Sequence, residues 1–308
     1  MSSRQPKAPM ARDSEMSEGR GAGRASERRG ADWARPPALS PLPQERGEGA
    51  QRHRGEIHIS SRDNALLKDL RRLAQDSGAH RKQGRVWVEG EHLCRAALAR
   101  GWRPALGVFS ASCWPPVAVD IAQAAIKNIV IDDALMKGIS ELPSPAPLAF
   151  VLDLPDAPAL LPEAPTVVLD RVQDAGNVGS ILRSAAAFGF TQIAALKGTA
   201  LLWSPKVLRA GMGAHFGLRL VEGLAADELA ALQVPLLVTS SHQGEWLHRA
   251  RLPWPCAWVL GHEGQGVDPA LAARAALAVR IAQPGGEESL NVAAAAAICL
   301  CASAVAQS

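Results

Sequence analysis

A recognisable alternation of apolar and polar positions begins at Ile57. In NALLKDLRRLAQDSG (64–78), Leu66, Leu67, Leu70 and Leu73 share one face while Lys68, Arg71 and Arg72 turn elsewhere, which predicts an amphipathic helix. RVWVEG (85–90) predicts a strand and a turn, with a helix to follow over 91–100. The same reading gives a strand over 105–109, a helix over 117–127, and strands over 128–131 and 147–154. Strands alternating with helices predict a small α/β domain over 56–152.

DLPDAPALLPEAP (153–165) carries four prolines and predicts a linker between domains. Short apolar runs then recur at 166–169, 192–196, 217–220, 235–239, 257–260 and 277–281, with helical patterns between most of them. Apolar strands separated by helices predict a second α/β domain over 166–308, built on a mainly parallel sheet covered on both faces. No internal repeat is visible.

Residues 1–54 contain no Ile, Val or Phe and are rich in Arg, Gly, Ser, Pro and Glu. Such a segment buries too little apolar surface to offset its ordering entropy, so residues 1–55 are expected to form a disordered basic tail. The net charge of the 308-residue chain is only +3, but it is unevenly spread. Lys and Arg outnumber Asp and Glu by 11 to 7 in residues 1–55 and by 10 to 5 in residues 61–103, whereas from Thr166 onward the count is 10 to 10. The excess in the first third suits an acidic partner such as nucleic acid, or simply a solvated surface.

The five cysteines, Cys94, Cys113, Cys256, Cys299 and Cys301, include no C-x-x-C pair, which argues against a disulfide framework or a metal site and for small thiols in a reducing cytoplasm. The longest apolar run, Val292 to Ala306, is mostly alanine. At about 1.5 Å per residue it falls short of a bilayer core of roughly 30 Å. The first residues lack the apolar stretch of a secretory signal. A cytoplasmic protein without a membrane partner is expected.

Three motifs stand out, each directly after one of the strands: VQDAGNVGSILRSAAAFG (172–189), VLGHEGQGV (259–267) and IAQPGGEESLNVAAAAAICL (281–300). Ligands of open α/β sheets bind at the carboxyl ends of strands, so the three converge on one expected site. GHEGQG is neither a phosphate-binding P-loop nor G-x-G-x-x-G, and by itself reads as a strand-to-helix turn. GGEES leads into a helix with Ser289 at or near its N-cap and Asn291 in its first turn, where free backbone N–H groups can hold a polar ligand. The alanines that follow permit close packing on the sheet.

These residues resemble the three ordered motifs of the SpoU (TrmH-type) RNA ribose methyltransferases of the SPOUT superfamily. SPKVLRAGMGAHF (204–216) is similar to the segment those proteins carry between the first two motifs, and ISSRDNALLKDLRRL with RVWVEGEHLCRAALARG is similar to the substrate-binding domain found ahead of many members. The resemblance covers residues 57–308. It implies a catalytic α/β domain whose C-terminal segment threads a trefoil knot, preceded by a domain of the ribosomal protein L30e fold that binds RNA. It implies a homodimer, S-adenosylmethionine as cofactor, no metal, and methyl transfer to a ribose 2′-hydroxyl of RNA; the resemblance does not specify which RNA, and the extra upstream domain favours ribosomal over transfer RNA. By the same resemblance Asn177, Arg183, Glu263, Ser289 and Asn291 match the catalytic set, and Thr239, Gly261, Gly266, Ile281, Ser289 and Leu290 match positions that line the cofactor. Three positions depart from the family pattern: His262 where a small polar residue such as Asn or Ser is usual, Ala282-Gln283 in place of Pro-Met, and Gly211 in place of Ser.

The chemistry fits the set. A ribose hydroxyl is a weak acid, so alkoxide charge developing during transfer needs stabilisation. Arg183 is suited to that and to gripping a neighbouring phosphate; with a guanidinium pKa above about 12 it is a poor general base. The basic positions Arg62, Lys68, Arg71, Arg72, Arg81, Lys82 and Arg85 are the candidate RNA contacts. Two competing readings are an RNA-binding ribosome-assembly factor of the same fold without turnover, and a transfer RNA methyltransferase. A dinucleotide oxidoreductase would need a G-x-G-x-x-G turn and an acidic residue about 20 positions on, and the chain has neither.

Overall fold

The computed structural model describes residues 57–115, 119–240, 243–285 and 289–307. The expected tail over 1–55 and the first residues of the helix expected from 117 lie outside them. The described residues carry two sheets.

The first sheet is built from β1 (Ile57–Ile59), β2 (Arg85–Glu89), β3 (Leu106–Ser110), β4 (Lys127–Ile131) and β5 (Leu148–Asp153), in the order β1-β4-β3-β5-β2. β1, β4 and β3 run parallel, and β5 is antiparallel to both β3 and β2. One face is covered by α1 (Ala65–Gln75) through Leu67, Leu70 and Leu73, together with Leu135 and Met136 of α5 (Asp133–Lys137). The predicted helix over 64–78 is shorter than expected. Asn64 caps its start by accepting from Leu66 N–H, the chain turns extended at Asp76, and a second short helix, α2 (Ala79–Gln83), follows. The other face packs on α3 (Glu91–Ala99) and α4 (Val119–Ala124) through Leu93, Ala97 and Ile121.

The second sheet has seven strands in the order β10-β12-β9-β11-β6-β7-β8, and every pairing is parallel. Its strands are β6 (Thr166–Leu169), β7 (Gln192–Leu196), β8 (Arg219–Leu224), β9 (Leu236–Thr239), β10 (Glu245–Trp246), β11 (Ala257–Leu260) and β12 (Leu277–Arg280). Three strands fall where the apolar runs predict them. β8 starts and ends later than the expected 217–220, and β10, two residues at the sheet edge, carries no apolar run to announce it. Alternate residues serve opposite faces. Val167, Leu169, Trp258 and Leu260 point to α6 (Ala175–Ala187) and α9 (Val292–Val305), while Val168, Val238 and Val259 meet Leu229 and Leu271 on the other side. With both faces covered, the strands have no polar side to show, which is why they read as continuous apolar runs.

The two sheets share a core. Leu208 of α7 (Pro205–Gly211) and Phe216 belong to the apolar cluster that contains Val86, Val88 and Phe150 of the first sheet. Trp102 donates its Nε1–H to the Phe216 carbonyl at 3.2 Å. The buried His80 ring bridges the Ser77 carbonyl and Glu222 Oε2, both at 3.1 Å, and Glu222 Oε1 also accepts from Leu202 N–H. Segment 154–165 has no regular structure but is fastened at several points: Leu154 N–H donates to the Gly84 carbonyl, Leu161 pairs with the Gln192 side chain, and Arg219 donates to the Ala159 carbonyl.

Candidate active site

Because β6, β9, β11 and β12 are parallel, the loops after β6, β11 and β12 lie along one sheet edge. The first motif opens α6 there. Asp174 is its N-cap and accepts from Asn177 N–H at 2.7 Å. Farther along, Gly179 faces α7 so closely that any Cβ would overlap Ala210 and the Gly211 backbone, and no larger residue fits this helix crossing.

The second motif supplies Glu263. Its carboxylate sits at the start of α6 and accepts from Gln173 N–H (3.3 Å), Asp174 N–H (3.2 Å) and Asn177 Nδ2 (3.2 Å). The third motif supplies Asn291, whose Nδ2 donates to Asn177 Oδ1 at 3.0 Å. Asn291 Oδ1 in turn accepts from Ala293 and Ala294 N–H. One hydrogen-bonded line thus runs Glu263, Asn177, Asn291, start of α9, and ties all three motifs together. It also fixes both amides: each has its nitrogen toward one partner and its oxygen toward the other.

Here the expectation for Ser289 needs correction. The N-cap of α9 is Asn291, expected within the first turn, and Ser289 lies two residues before that cap. The amide satisfies two orphan N–H groups of the first turn, which leaves the hydroxyl no capping task.

Partial burial would push Glu263 up, but the N–H groups of its own backbone, Asn177, Asp174 and Gln173 outweigh it and hold the carboxyl below its usual range. The group is ionised at neutral pH, beside the positive end of the α6 dipole. Arg183 is exposed on α6 in a stripe with Gly176 and Ser180, and its side chain makes no hydrogen bond or ion pair among the described residues. Ser289 and Leu290 are also exposed, Thr239 and Ile281 are half-buried, and Gly266 takes φ of 71° in the loop after β11. Gly261 has no room for a Cβ against the Gly266–Val267 backbone.

Three features went unread in the sequence. The buried Asp170 holds Arg171 at 2.8 Å and accepts from Asp268 N–H at 2.7 Å. Arg171, in the left-handed region at φ 60°, reaches Gln265 Oε1 at 3.1 Å, so the first and second motif loops are clamped together. Gln283 Oε1, in the loop after β12, is buried without a hydrogen-bond partner among the described residues. None of these contacts has a local sequence signal, whereas the capping residue Asp174, three positions before Asn177, does. The departure at Gly211 has a steric reason: a Cβ there would overlap the buried His215 ring.

The candidate RNA contacts divide. Arg62, Lys68, Arg72 and Lys82 are exposed and their side chains have no partner among the described residues. Arg71 Nε donates to the Gly138 carbonyl at 3.0 Å, Arg85 pairs with Asp153 at 2.7 Å, and Arg81 lies 3.8 Å from Glu222. Among the described residues no group of three metal-ligating side chains occurs, and no helix is long and apolar enough to cross a membrane.

The fold and this linked trio define a class of parallel α/β protein with its site at the carboxyl ends of the strands. A TrmH-family protein from Porphyromonas gingivalis is 32% identical, with a TM-score of 0.68 over 78% of this chain and 97% of that one. An AdoMet-bound rRNA methyltransferase from Sinorhizobium meliloti is 25% identical, with a TM-score of 0.69 over 80% of this chain and 97% of that one. The 23S rRNA (guanosine(2553)-2′-O)-methyltransferase RlmP of Bacillus subtilis is 30% identical over 244 residues, 78% of this chain and 96% of its own length. The sequence model of the SpoU rRNA Methylase family matches residues 164–301. The chain belongs to the SpoU rRNA methylase family.

Proposed function

We propose that this protein transfers a methyl group from S-adenosylmethionine to a ribose 2′-hydroxyl of ribosomal RNA. The observation that carries the reading is the hydrogen-bonded line from Glu263 through Asn177 to Asn291, which brings the three motif loops to one point. The similarity to the Bacillus subtilis 23S rRNA enzyme over nearly its whole length supports ribosomal RNA as the substrate class.

The residues present fit the cofactor. Gln283 Oε1 is a buried acceptor in want of a donor, while Leu290, 38% exposed, and the half-buried Ile281 offer apolar surface nearby in sequence. An adenosine group carries both an N–H donor and an apolar ring. Thr239, Gly261, Gly266, Ile281, Ser289 and Leu290 would hold the cofactor. When bound, it supplies an electrophilic methyl group on a sulfonium. The chain's own part is positioning and charge. Arg183, without a partner among the described residues, is available to the substrate phosphate and to the 2′-oxygen as its proton leaves. Glu263 stays ionised and fixes Asn177; Asn291 fixes the other side of that amide. Ser289, exposed two residues before Asn291, completes the catalytic set.

The larger architecture belongs to the same reading. Residues 56–152 form an RNA-binding domain of the L30e type, 153–165 the connection, and 166–308 the catalytic domain, with a knot through which the C-terminal segment threads. Arg62, Lys68, Arg72 and Lys82 face RNA. A second copy covers α9, where Ile298 and Val305 are 41% and 66% exposed beside an apolar groove of about 650 Å³ that Leu247 and Leu252 complete. The site of action is the cytoplasm.

The test is transfer from labelled S-adenosylmethionine to unmodified ribosomal RNA, followed by nucleoside analysis. Label in a 2′-O-methylnucleoside is expected; label on a base, or none, overturns the reading.

A further inference from the structure

The loop that presents Glu263 is organised by the side chain beside it. His262 Nδ1 lies 3.0 Å from Gly264 N and 3.2 Å from Gln265 N, and both backbone N–H groups donate to it. The loop closes on itself through His262 N–H to the Gly266 carbonyl (3.0 Å) and Gly266 N–H to the His262 carbonyl (2.8 Å). Its far side is held by Arg171 on the Gln265 side chain. Glu263 projects from between these fixed points onto Asn177.

We propose that His262 is a positioning residue: its neutral ring, through Nδ1, gathers the Gly264 and Gln265 N–H groups and so sets the loop shape that delivers Glu263 to Asn177. The inference rests on the methyltransferase reading for its kinetic consequence, though not for its structural one. An asparagine here offers a side-chain oxygen that can accept the same N–H groups in an Asx-type turn. Alanine at 262 would leave the Gly264 and Gln265 N–H groups without this acceptor, whereas asparagine would restore one.

The experiment compares His262→Ala and His262→Asn with the wild type. Three kinds of measurement are made: kcat and KM on unmodified ribosomal RNA, amide hydrogen exchange at Gly264 and Gln265, and global stability in urea. In His262→Ala, kcat should fall on the order of tenfold with little change in the RNA KM, and the two amides should exchange faster while the urea midpoint stays close to wild type. In His262→Asn, kcat and amide protection should return to within about twofold of wild type. The proposal is overturned if His262→Ala keeps wild-type kcat and amide protection, or if Asn fails to rescue kcat and protection in a stably folded protein. If the wild type transfers no methyl group, the functional reading fails, and the exchange measurements still decide the role of His262.

Discussion

Arg183 is a cation exposed on the helix that carries Asn177, with no partner among the described residues. Side chains left so are free to serve a ligand, and the positions matched to the cofactor by resemblance are Thr239 and residues of the other two motifs. Arg183→Ala is therefore expected to lower kcat on the order of a hundredfold or more, the usual loss of one stabilising donor, while S-adenosylhomocysteine affinity by calorimetry stays within about threefold. A severe loss of binding would move Arg183 into the cofactor pocket. His215 belongs to stability. It is fully buried, with Nε2 against the Leu202 carbonyl at 2.9 Å and Nδ1 unpartnered. Burial pushes its pKa down to about 4 from an ordinary 6.5. The unfolded chain thus takes up a proton that the folded one refuses, and stability falls as pH drops from 6.5 toward 4, by about 3 kcal/mol in all, with nothing lost above that window. Urea midpoints measured against pH should show this slope in the wild type and a smaller one in His215→Gln. Equal slopes would mean the ring is charged in the folded state.

Elements were legible where their signal was local. β6, β7 and β11 match their apolar runs because strands buried on both faces have nothing polar to confuse the count. α1 ended early because Asp76 turns extended, which no periodicity shows. β10 exists only through its pairing with β12. The site divides along the same line. Asn177, Glu263 and Asn291 were nameable from motifs, yet the backbone donors of Gln173 and Asp174 and the Asp170–Arg171 clamp come from loops that meet only in three dimensions. The basic face of α1 shows how much structure adds: Arg71 is engaged with the Gly138 carbonyl, whereas Arg72 and Lys68 on the same helix, and Lys82 on α2, have no such partner. Changing Lys68, Arg72 and Lys82 together to Ala is expected to flatten the log-log salt dependence of RNA binding by about two to three units, since each lost phosphate contact removes roughly 0.7 to 0.9. Cofactor binding should be unaffected. An unchanged slope and affinity in filter-binding titrations would put the RNA surface elsewhere.

At the scale of the molecule, the two sheets are joined by a common apolar cluster and by the buried His80–Glu222 pair. The proline-rich segment between them is hydrogen-bonded at Leu154, Ala159 and Leu161. Both sheets belong to one compact unit. Among the described residues the apolar core begins at Ile59, and the sequence before Ile57 has no Ile, Val or Phe, so a truncation beginning at Glu56 is expected to fold and keep most of its activity. An insoluble product, or loss of cooperative unfolding by calorimetry, would show that the first 55 residues take part in the fold. The central claim concerns chemistry on RNA, and it is tested most directly by mapping 2′-O-methyl sites across the ribosomal RNA of cells that lack the gene. One ribose should lose its methyl group, regain it when the wild-type chain is restored, and stay unmodified when Arg183→Ala is restored at equal abundance. An identical ribosomal map with and without the gene, or full rescue by Arg183→Ala, would contradict it.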